Sequence, residues 1–263
     1  MLKLYHAPGA VCAQKVRLGL EEKGQPWQSE IVDLGDLEFM QRYRRDLNPN
    51  GVVPTLVVDG QVLIESNVIL EFLDEVFPEP RLSPDDAVAR AHMRVWLSQI
   101  DIDVHVAVNA LTFGIAMRHR FLRMSESQRN AIYEAIPDPE RRWKRRELIE
   151  QGVESRLVRV AVQRFMRLFR DMEQALVGRP WLIGAAYTLA DLALTPYLVR
   201  VDALGLTRVL DQFPQLTRWY QQVQQRPSFA TAIERWGVAD FKRDSAAEVE
   251  QAWPIISAMT RAA

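Results

Sequence analysis

The sequence predicts an α/β unit followed by an all-α unit. Three observations carry this expectation. Short β-rich runs alternate with helical patterns over residues 1–79. The stretch Phe77-Pro78-Glu79-Pro80-Arg81-Leu82-Ser83-Pro84 is dense in proline and reads as a linker. Beyond it strand signals vanish. The expected division is therefore residues 1–79, a linker at 80–84, and residues 85–263.

Each element of the first unit has a local reason. Leu2 to Tyr5 is a short apolar strand, broken by Pro8-Gly9. Cys12 to Lys23 is a helix, with Val16, Leu18 and Leu20 set among charged residues and Gly24 as its C-terminal stop. Trp27 to Val32 is a second strand. Leu37 to Arg45 is a short helix, and Asn48-Pro49-Asn50-Gly51 a turn. Thr55 to Val58 and Gln61 to Ile64 are β-branched runs on either side of Asp59-Gly60, a tight-turn hairpin. Ser66 opens a helix as its expected N-cap, with Val68, Ile69, Phe72, Leu73 and Val76 at helical spacing. The order βαβ, then a helix, then ββα implies a mixed sheet covered by helices.

The second unit is helical throughout. Ala87 to about Leu122 places Met93, Trp96, Leu97 and Ile100 on one face. Ile136-Pro137-Asp138-Pro139 interrupts. Leu157 to Leu176 is a long amphipathic helix. Thr188-Leu189-Ala190-Asp191 resembles a capping box at the head of a helix that ends at Gly205, and two more helices flank Arg226-Pro227.

Composition excludes several functions. Lysine and arginine total 33 against 34 acidic residues, so no general basic charge favours nucleic acid or an anionic membrane. The single cysteine, Cys12, excludes a disulfide framework and a multi-cysteine zinc site, and fits a reducing compartment. No uninterrupted apolar run of membrane-spanning length is present, and the start lacks signal-peptide character, so a cytoplasmic protein is expected. His6, His92, His105 and His119 show no ligand-like spacing, and no metal is expected. The basic run from Glu140 to Glu147 reads as a solvated helix face, and Trp96, Phe113 and Trp143 as core.

Three sites are candidates for chemistry. Cys12 lies at or beside a helix N-terminus, where partial positive charge favours a thiolate; it is a nucleophile there or a small packed side chain. Val53-Pro54 precedes a strand, its peptide either cis, offering Val53's backbone groups sideways to an extended peptide, or ordinary trans. Glu65-Ser66 stands at a strand-to-helix junction, as a carboxylate site or a plain cap.

Taken in order, Cys12-Ala13-Gln14-Lys15-Val16-Arg17, Asn48 to Leu56, Glu65-Ser66 and Thr188-Leu189-Ala190-Asp191 resemble the glutathione transferase superfamily, above all its bacterial zeta-like, dehalogenase-like and β-etherase-like members. The resemblance implies a thioredoxin-like N-terminal domain and an all-α C-terminal helical bundle domain. It implies glutathione as cosubstrate, a small hydrophobic electrophile held by the helical domain, a detoxifying activity and a homodimer. Val53, ahead of a cis Pro54, pairs its backbone with the cysteinyl unit of glutathione. Glu65 faces the γ-glutamyl ammonium and Ser66 its carboxylate. Cys12 matches the cysteine of a Ser-x-Cys signature whose serine position is Ala10 here, so serine-type activation of the thiol is absent. The implied activity is conjugation. Alternatives are thiol transfer, reductive dehalogenation or β-aryl ether cleavage using Cys12, or a non-catalytic binding protein on the same fold.

Overall fold

The computed structural model covers residues 1–263. The first unit runs β1 (Leu2–His6), α1 (Val11–Glu22), β2 (Trp27–Ile31), α2 (Leu37–Asp46), β3 (Thr55–Val58), β4 (Gln61–Leu63) and α3 (Ser66–Val76). The sheet order is β2-β1-β3-β4, with β1 parallel to β2 and the other pairs antiparallel. This is the mixed sheet of a thioredoxin-like domain. The hairpin turn has both central residues at positive φ, 48° at Asp59 and 84° at Gly60, as a two-residue turn of the strands' own twist requires.

Alternation along β1 decides which helix covers which face. Leu2 and Leu4 point with Leu56 toward Val16 and Leu20 of α1 and Ile69 and Leu73 of α3. Tyr5 packs on the opposite side with Met40 and Tyr43 of α2 and with Val53. Gly19 lets α1 and α3 approach closely: a Cβ there would sit 2.6 Å from the Leu70 side chain.

The second unit begins with a helical rod of α4 (Ala87–Gln99), α5 (His105–Leu111) and α6 (Arg118–Leu122), joined by π-helical turns at Ile100–Val104 and Thr112–Met117. Then come α7 (Glu126–Glu134), α8 (Pro139–Gln151), α9 (Arg156–Ala175), α10 (Leu189–Ala203), α11 (Pro214–Gln224), α12 (Pro227–Ala232), α13 (Val238–Asp244) and α14 (Ala246–Arg261). The rod contains an 18-residue window of mean hydropathy 1.4, long and apolar enough by composition to cross a membrane, although charges interrupt its sequence. Half of that window is buried inside the fold. Met93, Leu97, Ile100 and Leu111 go into the large core, with Phe165 and Phe169 of α9 and Leu194 and Leu198 of α10.

Three details differ from the sequence reading. Lys15 and Arg17 are fully buried rather than part of a polar helix face, because the second unit covers the side of α1 that the sheet leaves free. Their polar groups are matched: Lys15 Nζ donates to Asn67 Oδ1 at 2.9 Å, and Arg17 donates to the Ala232 carbonyl at 2.8 Å and the Pro8 carbonyl at 2.9 Å. The proline-rich stretch is tied down rather than loose. Asp74 accepts from buried Lys23 at 2.6 Å and from the Leu82 backbone N–H at 2.8 Å, and the Leu82 carbonyl accepts from Leu189 N–H at 2.9 Å. The Glu79-Pro80 peptide is cis. Finally, Trp143 is 56% exposed and not part of the core.

The capping box is present and does more than end a helix. Asp191 is buried, and its carboxylate accepts from the Thr188 backbone N–H and hydroxyl, both at 3.0 Å, from Leu182 N–H at 3.0 Å and from Trp219 Nε1 at 2.8 Å. Burial raises its pKa, and these four donors work against that rise. Asp191→Ala leaves four donors around a void. It is expected to lower stability by about 3 kcal/mol or more in urea unfolding, with Asp191→Asn intermediate. A loss below about 1 kcal/mol for the alanine variant contradicts this role.

Candidate functional site

The tight fit of α1 against α3 fixes where the candidate residues lie. Ala10 is the N-cap of α1 and makes no side-chain cap bond, so the first N–H groups of that helix carry no capping acceptor. Cys12 follows in the first turn. The N-cap of α3 is Glu65, and Ser66 is its first helical residue, one position later than the sequence reading placed it. Glu65 also makes no cap bond. Its φ of 67° is a conformation that residues with a Cβ adopt rarely, and such strain clusters at functional positions. Ser66 is buried, and its hydroxyl is close enough to Cys12 to stabilise a thiolate. Two uncapped helix N-termini therefore converge on one sulfur. On the same unit, the Val53-Pro54 peptide is cis. Below it, Tyr43 Oη meets Thr55 Oγ1 at 2.6 Å and donates toward the Val52 carbonyl at 3.0 Å, while Asn48 Nδ2 donates to the same carbonyl at 2.9 Å.

The second unit completes the surroundings of Cys12. Its Sγ lies 3.4 Å from His105 Nδ1 and 3.8 Å from Tyr197 Oη, and those two partners are 3.2 Å apart. His105 follows the first π-helical turn, a feature that recurs at functional positions. Asn109, one turn on, holds the imidazole. Its amide Nδ2 is 2.9 Å from His105 Nε2 and donates to the His105 carbonyl at 2.9 Å. An amide NH2 shared this way makes Nε2 an acceptor and leaves the ring proton on Nδ1, facing the sulfur; this tautomer is assigned from the hydrogen-bond network.

These neighbours set the state of the thiol. Burial alone raises the Cys12 pKa, but the Lys15 ammonium, His105 and the Ser66 hydroxyl outweigh it and bring it down from an ordinary 9.0 to about 6. Lys15 is itself pushed down by burial and held up by the charges of Cys12, Asp101 and Glu65. Asn67 links it onward, donating to Asp101 Oδ1 at 2.9 Å. Burial and the Cys12 charge push Tyr197 well above the usual phenol range, so it stays protonated as a donor. At the end of β1, burial and the charge of Arg17 on α1 lower His6 to about 4, so it is neutral near pH 7.

Cys12, Ser66 and Glu65 thus stand together, with the Val53-Pro54 turn on the same unit. The residues missed by sequence reasoning are Lys15, His105, Asn109 and Tyr197. His105 was tested only for metal-ligand spacing. The one usable signal was the capping box at Thr188, which fixes the start of α10 and hence the height of Tyr197 two turns on.

Comparison with known proteins identifies both units of the chain. Residues 4–81 match the glutathione S-transferase N-terminal domain, and residues 127–222 match the glutathione S-transferase C-terminal domain. The chain is 30% identical to Protein LigF of a Sphingobium species over 249 residues, 89% of this chain and 93% of LigF. It is 28% identical to tetrachloro-p-hydroquinone reductive dehalogenase of Sphingobium chlorophenolicum over 251 residues, covering 88% of this chain and 95% of that enzyme. The crystal structure of the β-etherase LigF superposes with a TM-score of 0.78 at 28% identity, covering 89% of this chain and 99% of LigF.

Because Cys12 is the chain's only thiol, its titration can be read directly. The rate of iodoacetamide alkylation is expected to rise with a midpoint near pH 6. His105→Ala and Lys15→Met should each move the midpoint up by about one unit or more. The folded state holds the thiol proton more weakly than the unfolded chain. The thiolate's contribution to stability is therefore full above the unfolded pKa and is lost as pH falls through about 6. A wild-type midpoint near 9 contradicts the assignment.

Proposed function

The chain belongs to the glutathione S-transferase family, and from that premise we propose that it transfers glutathione to an apolar electrophile at the junction of its two units. The observation that carries this reading is the convergence of the uncapped α1 and α3 N-termini on Cys12. Helix starts of this kind bind carboxylates and thiolates through free N–H groups and the helix dipole. We assign residues 1–79 to glutathione binding, 80–84 to the connection and 85–263 to the electrophile.

In this reading the Val53 backbone, ahead of cis Pro54, pairs with the cysteinyl unit. Ser66 N–H and hydroxyl take the γ-glutamyl carboxylate, and Glu65 takes the ammonium. Glutathione supplies the thiol that attacks an electrophilic carbon. With no hydroxyl at Ala10, the backbone N–H groups of Val11 and Cys12 hold the developing thiolate, aided by the Lys15 charge. The acidic Cys12 thiol favours a second activity at the same place. Its thiolate attacks the glutathionyl sulfur of a mixed disulfide, the S–S bond breaks, and the substrate leaves as a thiolate that takes up a proton. A second glutathione then attacks the Cys12–glutathione disulfide, releasing glutathione disulfide and the Cys12 thiolate. Reductive dehalogenation, as in the Sphingobium chlorophenolicum relative, and β-aryl ether cleavage, as the β-etherase LigF suggests, belong to the same reading.

A twofold homodimer fits the surface. Val68 of α3 and Val88, Val95, Ile102 and Val106 of the helical rod are exposed. The two elements are locked side by side by Arg94–Glu71 at 2.8 Å and by Asn67 Nδ2 donating to the Leu97 carbonyl at 3.0 Å. Val88, Val95 and Ile102 recur every seven residues, and exposed apolar residues at such spacing are an interface signature. A low-pKa free thiol also fits the reducing cytoplasm, where a detoxifying transferase works.

Calorimetry is expected to show glutathione binding that weakens about tenfold in Ser66→Ala, the loss of one charge-assisted hydrogen bond. Cys12→Ser should keep conjugation to chlorodinitrobenzene while losing deglutathionylation of a mixed disulfide. Loss of neither activity removes Cys12 from the chemistry, and absence of glutathione binding removes the transferase reading. Light scattering should give twice the chain mass, falling to one chain mass in Ile102→Asp; a monomeric wild type contradicts the dimer.

A further inference from the structure

The basic run on α8 is more ordered than a solvated face. Arg142 pairs with Glu134 at 2.7 Å, and Lys144 pairs with Glu140 at 2.6 Å. Arg141 and Arg145, one turn apart, have no carboxylate partner. Arg141 makes one long hydrogen bond, Nη1 to the Asn50 carbonyl at 3.4 Å, and so bridges α8 to the turn just before Val53-Pro54. Arg145 sits over the Phe113 ring, its guanidinium carbon 3.2 Å from the ring centroid, with no oxygen accepting from it. Burial and the Arg141 charge bring its pKa down to about 10. A bound anion would offset both the desolvation of Arg145 and the like charge of the exposed Arg141 one turn away.

Their position relative to the sulfur gives that anion a meaning. Phe113 is one turn beyond Asn109 and two beyond His105, which touches Cys12. At 1.5 Å per residue the rise from His105 to Phe113 is about 12 Å. His105, Asn109 and Phe113 thus form one half-buried stripe of the rod, which leads from the reacting sulfur to Arg145. Arginine presents donors that match a planar carboxylate.

Building on the transferase reading, we propose that Arg141 and Arg145 form an anion subsite and that the electrophile is an aromatic carboxylate. Its ring stacks along Phe113, and its acid group lies at the end remote from the carbon under attack. Specificity then comes from the remote charge, and the chemistry stays at the sulfur.

The test uses the full-length chain and two product conjugates, S-dinitrophenylglutathione and its carboxylated counterpart, so it does not depend on turnover. The wild type is expected to bind the carboxylated conjugate about tenfold more tightly at low salt, with the advantage shrinking as ionic strength rises. In Arg145→Met and in Arg141→Met the ratio of the two affinities should fall toward one, while Arg145→Lys keeps part of it. Equal affinities in the wild type, or a preference that survives in the double methionine variant, overturn the subsite. So does an equal weakening of unconjugated glutathione in Arg145→Met, which would assign the arginines to the tripeptide. Binding of neither conjugate nor glutathione would instead sink the transferase reading, so the two failures are distinct.

Discussion

Cys12 carries its charge where the sheet unit meets the helical unit, and its neighbours come from both. Lys15 and the free N–H groups belong to α1, Ser66 to α3, His105 to the rod and Tyr197 to α10. Desolvation by itself would protonate the sulfur. The sign is reversed only because a buried ammonium and several oriented donors stand within a few ångströms of it. The junction is therefore an electrostatic device as much as a packing surface, and separating the units would dismantle it.

Much of the remaining structure serves to hold that junction. Gly19 brings α1 against α3, which sets Cys12 beside Ser66. Arg17 reaches across to the Ala232 carbonyl, Arg200 donates to the Gly9 carbonyl, and Arg226 makes a two-pronged pair with Glu22 at 2.7 and 2.6 Å. The Asp74 carboxylate clamps the segment between the units, and Asp191 fixes the head of α10, the helix that brings Tyr197 to the site. These side chains thus form a set of ties that radiate outward from α1, each with its partner in place.

The sheet, its hairpin and the helical nature of the second unit were legible in the sequence because each has a local signature: β-branched runs, Asp59-Gly60, and apolar residues at helical spacing. The ordered motifs also named the family. The environment of Cys12 was not legible. A buried lysine at position 15 looks like a surface lysine until the covering helix is known, and nothing local announces the π-helical turn ahead of His105. The same limit explains α8. Its basic run reads as solvated from composition, yet Arg145 lies on an aromatic ring supplied from far along the chain. Trp143, apolar in type, faces solvent because the helix turns its other side inward.

The most direct test of the central claim is a crystal structure with glutathione bound. The account predicts the glutathione sulfur within about 4 Å of the Cys12 side chain and in hydrogen-bond range of the first α1 N–H groups, with the γ-glutamyl carboxylate on Ser66. A tripeptide bound elsewhere, or one whose sulfur points away from α1 while Ser66 stays unengaged, would contradict it.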